Sequence, residues 1–239
     1  MFSLKIDAST LISRFTRLAD LTPEATARAL NTSAFEVRSG WVAEVRRAFD
    51  RPTPLTQRAP LYKKATPQHL VAEVFIRNEA AKGTPPSKYL HPSVVGGPRG
   101  QKSSERLLSR MLGFPKYWVP GPGAPRDAYG NVPGGFIQRV LSSVQATADP
   151  AQRTPGRKVS RRSRGRKRIF FIPRAGVASK LKRTMIFERR EDGSVIPVLI
   201  GVSRAPTYTP RFKAYDVANR IFISRFNINL SKELARIGA

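Results

Sequence analysis

The chain has no cysteine and only two histidines, His69 and His91, among 239 residues. The first absence excludes a disulfide framework and any thiolate metal site. The second leaves little for imidazole ligation or general-base chemistry. No Ser/His/Asp arrangement can be argued from His69, at the start of an expected strand, and His91, in an expected loop. Acidic side chains are scarce as well: 16 against 43 Lys and Arg, a net charge of +27. A compact monomer with that charge repels itself strongly. A polyanion or an acidic partner subunit relieves the repulsion, and nucleic acid is the default partner for such a balance. Long apolar runs are also missing. The longest, VIPVLIGV at 195–202, falls far short of the roughly 20 residues that span a bilayer. The opening MFSLKIDASTLISRF lacks a basic start followed by an apolar run, and Asp7 interrupts it. That is not the pattern of a signal peptide.

Proline is plentiful, with 20 residues, above the usual share of ~5%. The prolines gather in stretches that read as long, stiff connections, and such loops carry function or make subunit contacts. The hydrophobic fraction of 40% is enough, at this length, to bury a core. The chain reads as a single domain over 1–239 with an internal basic arm at about 148–168.

Residues 9–20 read as a short helix, with Leu11, Phe15 and Leu18 on one face. Thr22-Pro23-Glu24 is a helix start, with a hydroxyl cap, Pro at the first position and an acid in the first turn. That helix runs to about Phe49, with Leu30, Ala34, Val37, Trp41, Val45 and Ala48 as its apolar stripe. The three prolines of DRPTPLTQRAP (50–60) predict an abrupt end and an extended path. HLVAEVFIR (69–77) alternates as a strand, and 80–101 reads as a Pro/Gly loop. A helix is expected from Ser103 to Leu112, with Leu107, Leu108 and Met111 buried. The loop 113–135 holds one short edge strand at 117–119, and a helix follows at 135–147 with Ile137, Val140, Leu141 and Val144 inward. A strand centres on IFFI. A hairpin joins 184–189 to 195–202 through Glu191-Asp192-Gly193, where Asp-Gly favours a tight turn. The last helix spans about 213–237, with Tyr215, Ala218, Phe222, Phe226, Leu230, Leu234 and Ile237 on its apolar face. The order is α+β, with long first and last amphipathic helices on a small, mostly antiparallel sheet.

Most tempting sites fail on spacing. GGPRGQKSS (96–104) resembles a phosphate-binding loop, but Gln101 separates Gly100 from Lys102, so loop backbone and ammonium do not converge on one phosphate. GPGAPRDAYGN (121–131) has close glycines without a third that opens a helix. A metal-dependent nuclease would suit the charge, yet Asp50, Glu73, Glu79, Glu105, Asp127 and Asp149 are scattered, with no dense motif to hold a divalent cation. No cofactor site is expected. Trp41 sits on a helical stripe and reads as core. Trp118, in a loop beside Tyr117, is open between a base-stacking platform and a subunit-contact anchor.

RTPGRKVSRRSRGRKR (153–168) holds nine basic residues and no acid: Arg153, Arg157, Lys158, Arg161, Arg162, Arg164, Arg166, Lys167 and Arg168. Three readings stand: a phosphate-binding arm, a solvated loop before the IFFI strand, or a segment that pairs with acidic subunits. It has no interleaved aromatic, so it binds by charge and without reading sequence.

Five segments in order carry a family resemblance: ATARALNTSAFEVR (25–38), FDRPTPLTQRA (49–59), SKYLHPSVVGGPR (87–99), WVPGPGAPRDAYGNVPGGFIQRVLS (118–142) and APTYTPRF (205–212). Together they resemble the minor tail protein Z family of tailed bacteriophages, the tail-completion or neck proteins. The resemblance covers about 20–142 well and the remainder more loosely. It carries no catalytic motif. It implies a structural, non-enzymatic virion protein, made in the host bacterial cytoplasm, that joins the tail or tail tube to the head connector around the DNA channel. The implied partners are copies of itself in a ring, six-fold or a multiple of it; other neck, connector or tail-tube proteins; and packaged DNA held by charge. No membrane is implied. Subunit contacts would fall on the loops at 50–66, 80–101 and 113–135, through Arg51, Pro52, Pro54, Tyr89, Leu90, Arg99, Trp118, Asp127, Tyr129 and Asn131. The strands around 70–77 and 195–202 are expected at sheet edges, where they would pair across subunits. The alternative from composition alone is a stand-alone, sequence-independent nucleic-acid-binding protein.

Overall fold

The computed structural model describes residues 3–7, 23–81, 83–113, 115–146, 169–173 and 184–236. The helix expected at 9–20 and the basic arm, with all nine of its cations, lie outside the described residues. The elements begin with β1 (Ser3–Asp7), α1 (Pro23–Ala48), α2 (Pro54–Gln57), β2 (Pro60–Lys63), β3 (Val71–Ile76) and α3 (Pro86–Val95). Next come β4 (Gly97–Pro98), α4 (Ser103–Leu112), β5 (Tyr117–Pro120), α5 (Gly134–Ser143) and β6 (Ile169–Phe171). The chain continues through β7 (Met185–Arg189), β8 (Val195–Val202), β9 (Thr207–Tyr208) and α6 (Ala214–Arg236). The architecture is α+β, with long first and last helices and small antiparallel sheets. Where the sequence reads as one domain, the chain groups into two compact units. Unit 1 is Met1–Gly97 with Tyr208–Ala239, and unit 2 is Pro98–Thr207.

In unit 1 the apolar stripe of α1 decides the packing. Leu30, Ala34, Val37, Trp41 and Val45 are fully buried, five residues at helical spacing that one face presents together. They pack with Ala214, Val217, Ala218, Phe226 and Leu230 near and along α6, and with Ala72, Val74 and Ile76 of β3. Trp41 Nε1 donates to Ala214 O at 2.8 Å, and its ring meets Phe212 edge-on at 6.0 Å. Polar side chains inside this helix pair are satisfied: Asn229 Nδ2 donates to Ser33 Oγ, 3.0 Å, and to Glu36 Oε2, 3.1 Å. The sheet order is β1-β3-β2. Asn31 clasps the β2–β3 connection, its Nδ2 donating to Ala65 O and its Oδ1 accepting from Ala65 N.

Unit 2 is a four-stranded antiparallel sheet, β5-β8-β7-β6. Leu108 of α4 and Phe136, Val140 and Leu141 of α5 pack with Trp118, Phe170, Ile186 and Val198 from the strands. The hairpin falls as its Asp-Gly turn requires. Gly193 has φ 84, and Asp192 Oδ1 accepts from Ser194 N at 2.8 Å. Pro197 cannot donate to the ladder, and the β7–β8 register slips between Ile186 and Phe187, opposite it.

The structure corrects several expectations. Residues 50–60 are not extended throughout: Thr53 caps the single turn of α2, its Oγ1 accepting from Thr56 N, and Pro54 takes the first helical position. The 80–101 loop contains α3, which opens on Pro86 and tolerates Pro92. Prolines there pre-set the helix instead of breaking it. β3 and β8 are interior strands, so neither offers the open edge needed to pair across subunits; among the described residues the edges are β1 and β2 in one sheet, β5 and β6 in the other. Met111 and Tyr215 are exposed, because α4 and α6 bury narrower faces than the sequence stripe suggests. The helix at 134–143 ends four residues before the expected 147, and Ile237 lies outside the described residues.

Candidate interaction surfaces

The segment after α1 builds the first surface. Arg51 turns the chain with φ 45, a conformation uncommon outside glycine, and its guanidinium folds back on Asp50 at 3.1 Å. Thr56 Oγ1 then meets Tyr89 OH at 3.0 Å, which ties α2 to α3. Burial pushes the Tyr89 phenol up in pKa, against the hydrogen bond from Thr56. Ser87 N donates to Arg77 O, and Ser87 Oγ to Asn78 Oδ1 at 2.6 Å, so α3 is moored to the end of β3. Arg77 and Asn78 also line an open groove of about 1180 Å³, together with Leu55, Leu61, Phe75 and Glu79. Sequence reasoning missed this groove. Its walls come from α2, β2 and β3 and share no motif.

Unit 2 is organised around one carboxylate. Glu105 is 2% exposed and accepts four donors: Arg99 Nη1 and Lys102 N on Oε2, both 2.7 Å, and Arg99 Nη2 and Trp118 N on Oε1. Burial alone raises its pKa. The Arg99 guanidinium and the two backbone N–H groups outweigh that, and the carboxyl is held below its ordinary value. Arg99 also lies over the Tyr117 ring at 5.8 Å. The stretch that imitates a phosphate loop is therefore a clamp joining α4 to β5. The glycines of GPG have a steric role. A Cβ on Gly121 would stand 2.4 Å from Pro197 O, and one on Gly123 would stand 2.7 Å from Ile196 Cγ2. Beyond them Asp127 Oδ1 accepts from Tyr129 N and Asn131 N, and Asp127 N donates to Asn131 O, which closes a tight surface turn.

The expected contact residues divide accordingly. Arg51, Pro54, Tyr89, Asp127, Tyr129 and Asn131 are at the surface, and Pro52 is half-buried. Leu90 and Trp118 are core residues, and the Arg99 side chain is spent on Glu105. Their side chains are taken up by contacts within their own unit. Trp118 in particular is 5% exposed, which removes it as a base platform; its Nε1 has no partner among the described residues. Among the described residues no three His, Asp or Glu side chains gather as a metal site would require, and no helix is long and apolar enough to cross a membrane. Unit 2 holds 23 Lys and Arg against 6 Asp and Glu, unit 1 20 against 10.

Comparison with protein-family models, with curated proteins and with solved structures finds no match for this chain.

Proposed function

We propose that the chain is a structural, non-catalytic component of a tailed-phage virion, a tail-completion or neck protein that joins tail to head connector as a ring around the DNA channel. The observation that carries this reading is the joint order of the five segments that resemble the minor tail protein Z family, on a chain of net charge +27. The structure gives those segments a physical meaning. FDRPTPLTQRA contains the Thr53 cap and Pro54 of α2, SKYLHPSVVGGPR runs from α3 to Arg99, and WVPGPGAPRDAYGN holds the close-approach glycines and the Asp127 turn. These three segments encode bends or clamps and ATARALNTSAFEVR lies inside α1, so the resemblance rests on fold determinants, as suits a protein that works by shape and charge. Deleting the gene is expected to leave filled heads and unattached tails in electron micrographs, with the protein present in wild-type particles in ring-like copy number. Normal infectious particles without it would overturn the reading.

The charge of unit 2 favours a second reading, a stand-alone nucleic-acid-binding protein. It predicts that isolated protein binds duplex DNA with an affinity falling roughly 10³ to 10⁵-fold between 50 and 200 mM salt, and that the protein is absent from purified particles.

A further inference from the structure

The groove of unit 1 carries an inference that does not rest on the virion reading. On β3, Ala72, Val74 and Ile76 face the core, so Val71, Glu73 and Phe75 belong to the opposite face of the sheet. On that face the register sets Phe75 directly beside Leu61. One step along, Glu73 stands between Lys5 and Lys63, so its charge is already matched across the strands. Leu55 of α2, itself 37% exposed, completes an apolar wall over Leu61 and Phe75.

Arg77 lines the same groove, and its Nε is buried without a hydrogen-bond partner among the described residues. No carboxylate there forms an ion pair with it, although Glu79 also lines the groove. An arginine at the wall of an apolar groove with no carboxylate paired to it leaves its guanidinium available to an acceptor that enters the groove. A carboxylate is the acceptor that matches its fork. Counting Arg77 and Glu79 of the groove with Lys5, Lys63 and Glu73 of this face, three cations stand against two carboxylates, and the chain as a whole is strongly basic, so the surroundings favour the same sign.

We propose that this groove docks an acidic, apolar segment of a partner protein, with an aliphatic or aromatic side chain on Leu55, Leu61 and Phe75 and an adjacent carboxylate on Arg77.

The test uses the full chain and a fluorescein-labelled dodecapeptide of alternating Leu and Asp. Anisotropy is read in 0.3 M KCl, where screening confines loose charge attraction to roughly 5 Å. Arg77→Gln is expected to weaken binding about tenfold, and Leu55→Ser several-fold. Arg220→Gln, which removes one exposed cation from α6, should leave affinity unchanged. A peptide with Ser in place of Leu should bind at least about tenfold more weakly. Arg77→Lys keeps the charge without the fork and should fall between wild type and Arg77→Gln, which keeps the test readable if the latter unfolds. Equal binding of the Ser peptide, equal weakening by Arg220→Gln, or no micromolar binding by the wild type would overturn the proposal. So would a dT12 oligonucleotide whose affinity depends on Arg77 as strongly as the peptide's, because the groove would then be a phosphate site. Particle assembly has no bearing on any of these outcomes.

Discussion

Unit 1 and unit 2 hold themselves together by different means. Unit 1 closes two long helices over a sheet, and its largest buried side chains, Trp41, Phe212 and Phe226, are apolar or aromatic. Its stability lives in area removed from water. Unit 2 has a smaller apolar cluster and depends on Glu105, which gathers Arg99, Lys102 and Trp118, and on glycines that let backbone approach backbone. It also carries the larger charge imbalance, so self-repulsion concentrates there. Periodic burial makes unit 1 tolerant of polar change at its surface. Point contacts make unit 2 sensitive to single atoms and to pH. Each unit owns one of the two tryptophans, Trp41 and Trp118, so fluorescence can follow them separately.

The largest expected effect is in unit 1. Trp41→Ala removes a fully buried indole, its edge-on contact with Phe212 and the donor to Ala214 O. The cost is about 3–5 kcal/mol. In urea, the helical circular dichroism of the variant should be lost at much lower denaturant, while emission from the remaining Trp118 shifts its midpoint far less. Coincident transitions would break the comparison, because the two units would then unfold as one.

Glu105→Gln comes next. It leaves the Arg99 guanidinium in a nearly buried site without its counter-charge, which costs about 3 kcal/mol, the low end for a broken buried pair because the amide still accepts one bond. The pH dependence has a definite sign. The folded carboxyl titrates below its ordinary value of 4.5. Its contribution is therefore fully present above that value and is lost as pH falls through the lower folded one. Unit 2, followed by Trp118 emission in a Trp41→Phe background, should lose stability as the pH falls below about 4.5. The Glu105→Gln variant should lose less over the same range. A variant whose pH profile parallels wild type would remove Glu105 as the pH-sensitive clamp.

The same contrast explains what the sequence reveals and what it hides. The stripe Leu30, Ala34, Val37, Trp41, Val45 is periodic, so α1 and its core face were legible. So was the hairpin, whose turn chemistry is local to Asp192 and Gly193. α3 was hidden because Pro86 and Pro92 read as breakers; proline at the first turn suits a helix, but Pro92 loses an i→i−4 bond and crowds the carbonyl one turn back, a cost that sequence alone does not show to be met. The interior placement of β3 and β8 was hidden for another reason: strand order depends on pairings between residues far apart, such as Leu4 with Val74 and Trp118 with Gly201. Glu105 resembled any acid in a first helical turn. Its burial follows from Arg99 and Trp118 converging on it, and nothing in their spacing announces that. The groove beside Arg77 is legible only from three elements at once.

Two glycines sharpen the comparison at its smallest scale. Gly40 lies inside α1, and a Cβ there would meet Ile221 Cδ1 at 2.2 Å and Val217 Cγ1 at 3.2 Å. The nearer atom is the far end of a half-buried side chain that can change rotamer. Gly40→Ala also gains about 1 kcal/mol of helix propensity, so the net change in unit 1 should lie within about 1 kcal/mol of zero. A Cβ on Gly121 instead meets the Pro197 carbonyl, oxygen at 2.4 Å and carbon at 2.9 Å. Gly121 N also donates to Val198 O at 2.9 Å, so relief requires moving β8 or surrendering that bond. Gly121→Ala should cost about 2 kcal/mol, read as an earlier Trp118 transition. If both alanines cost the same, close backbone approach is no more demanding than side-chain packing, and the distinction between the two units fails at the level of single atoms.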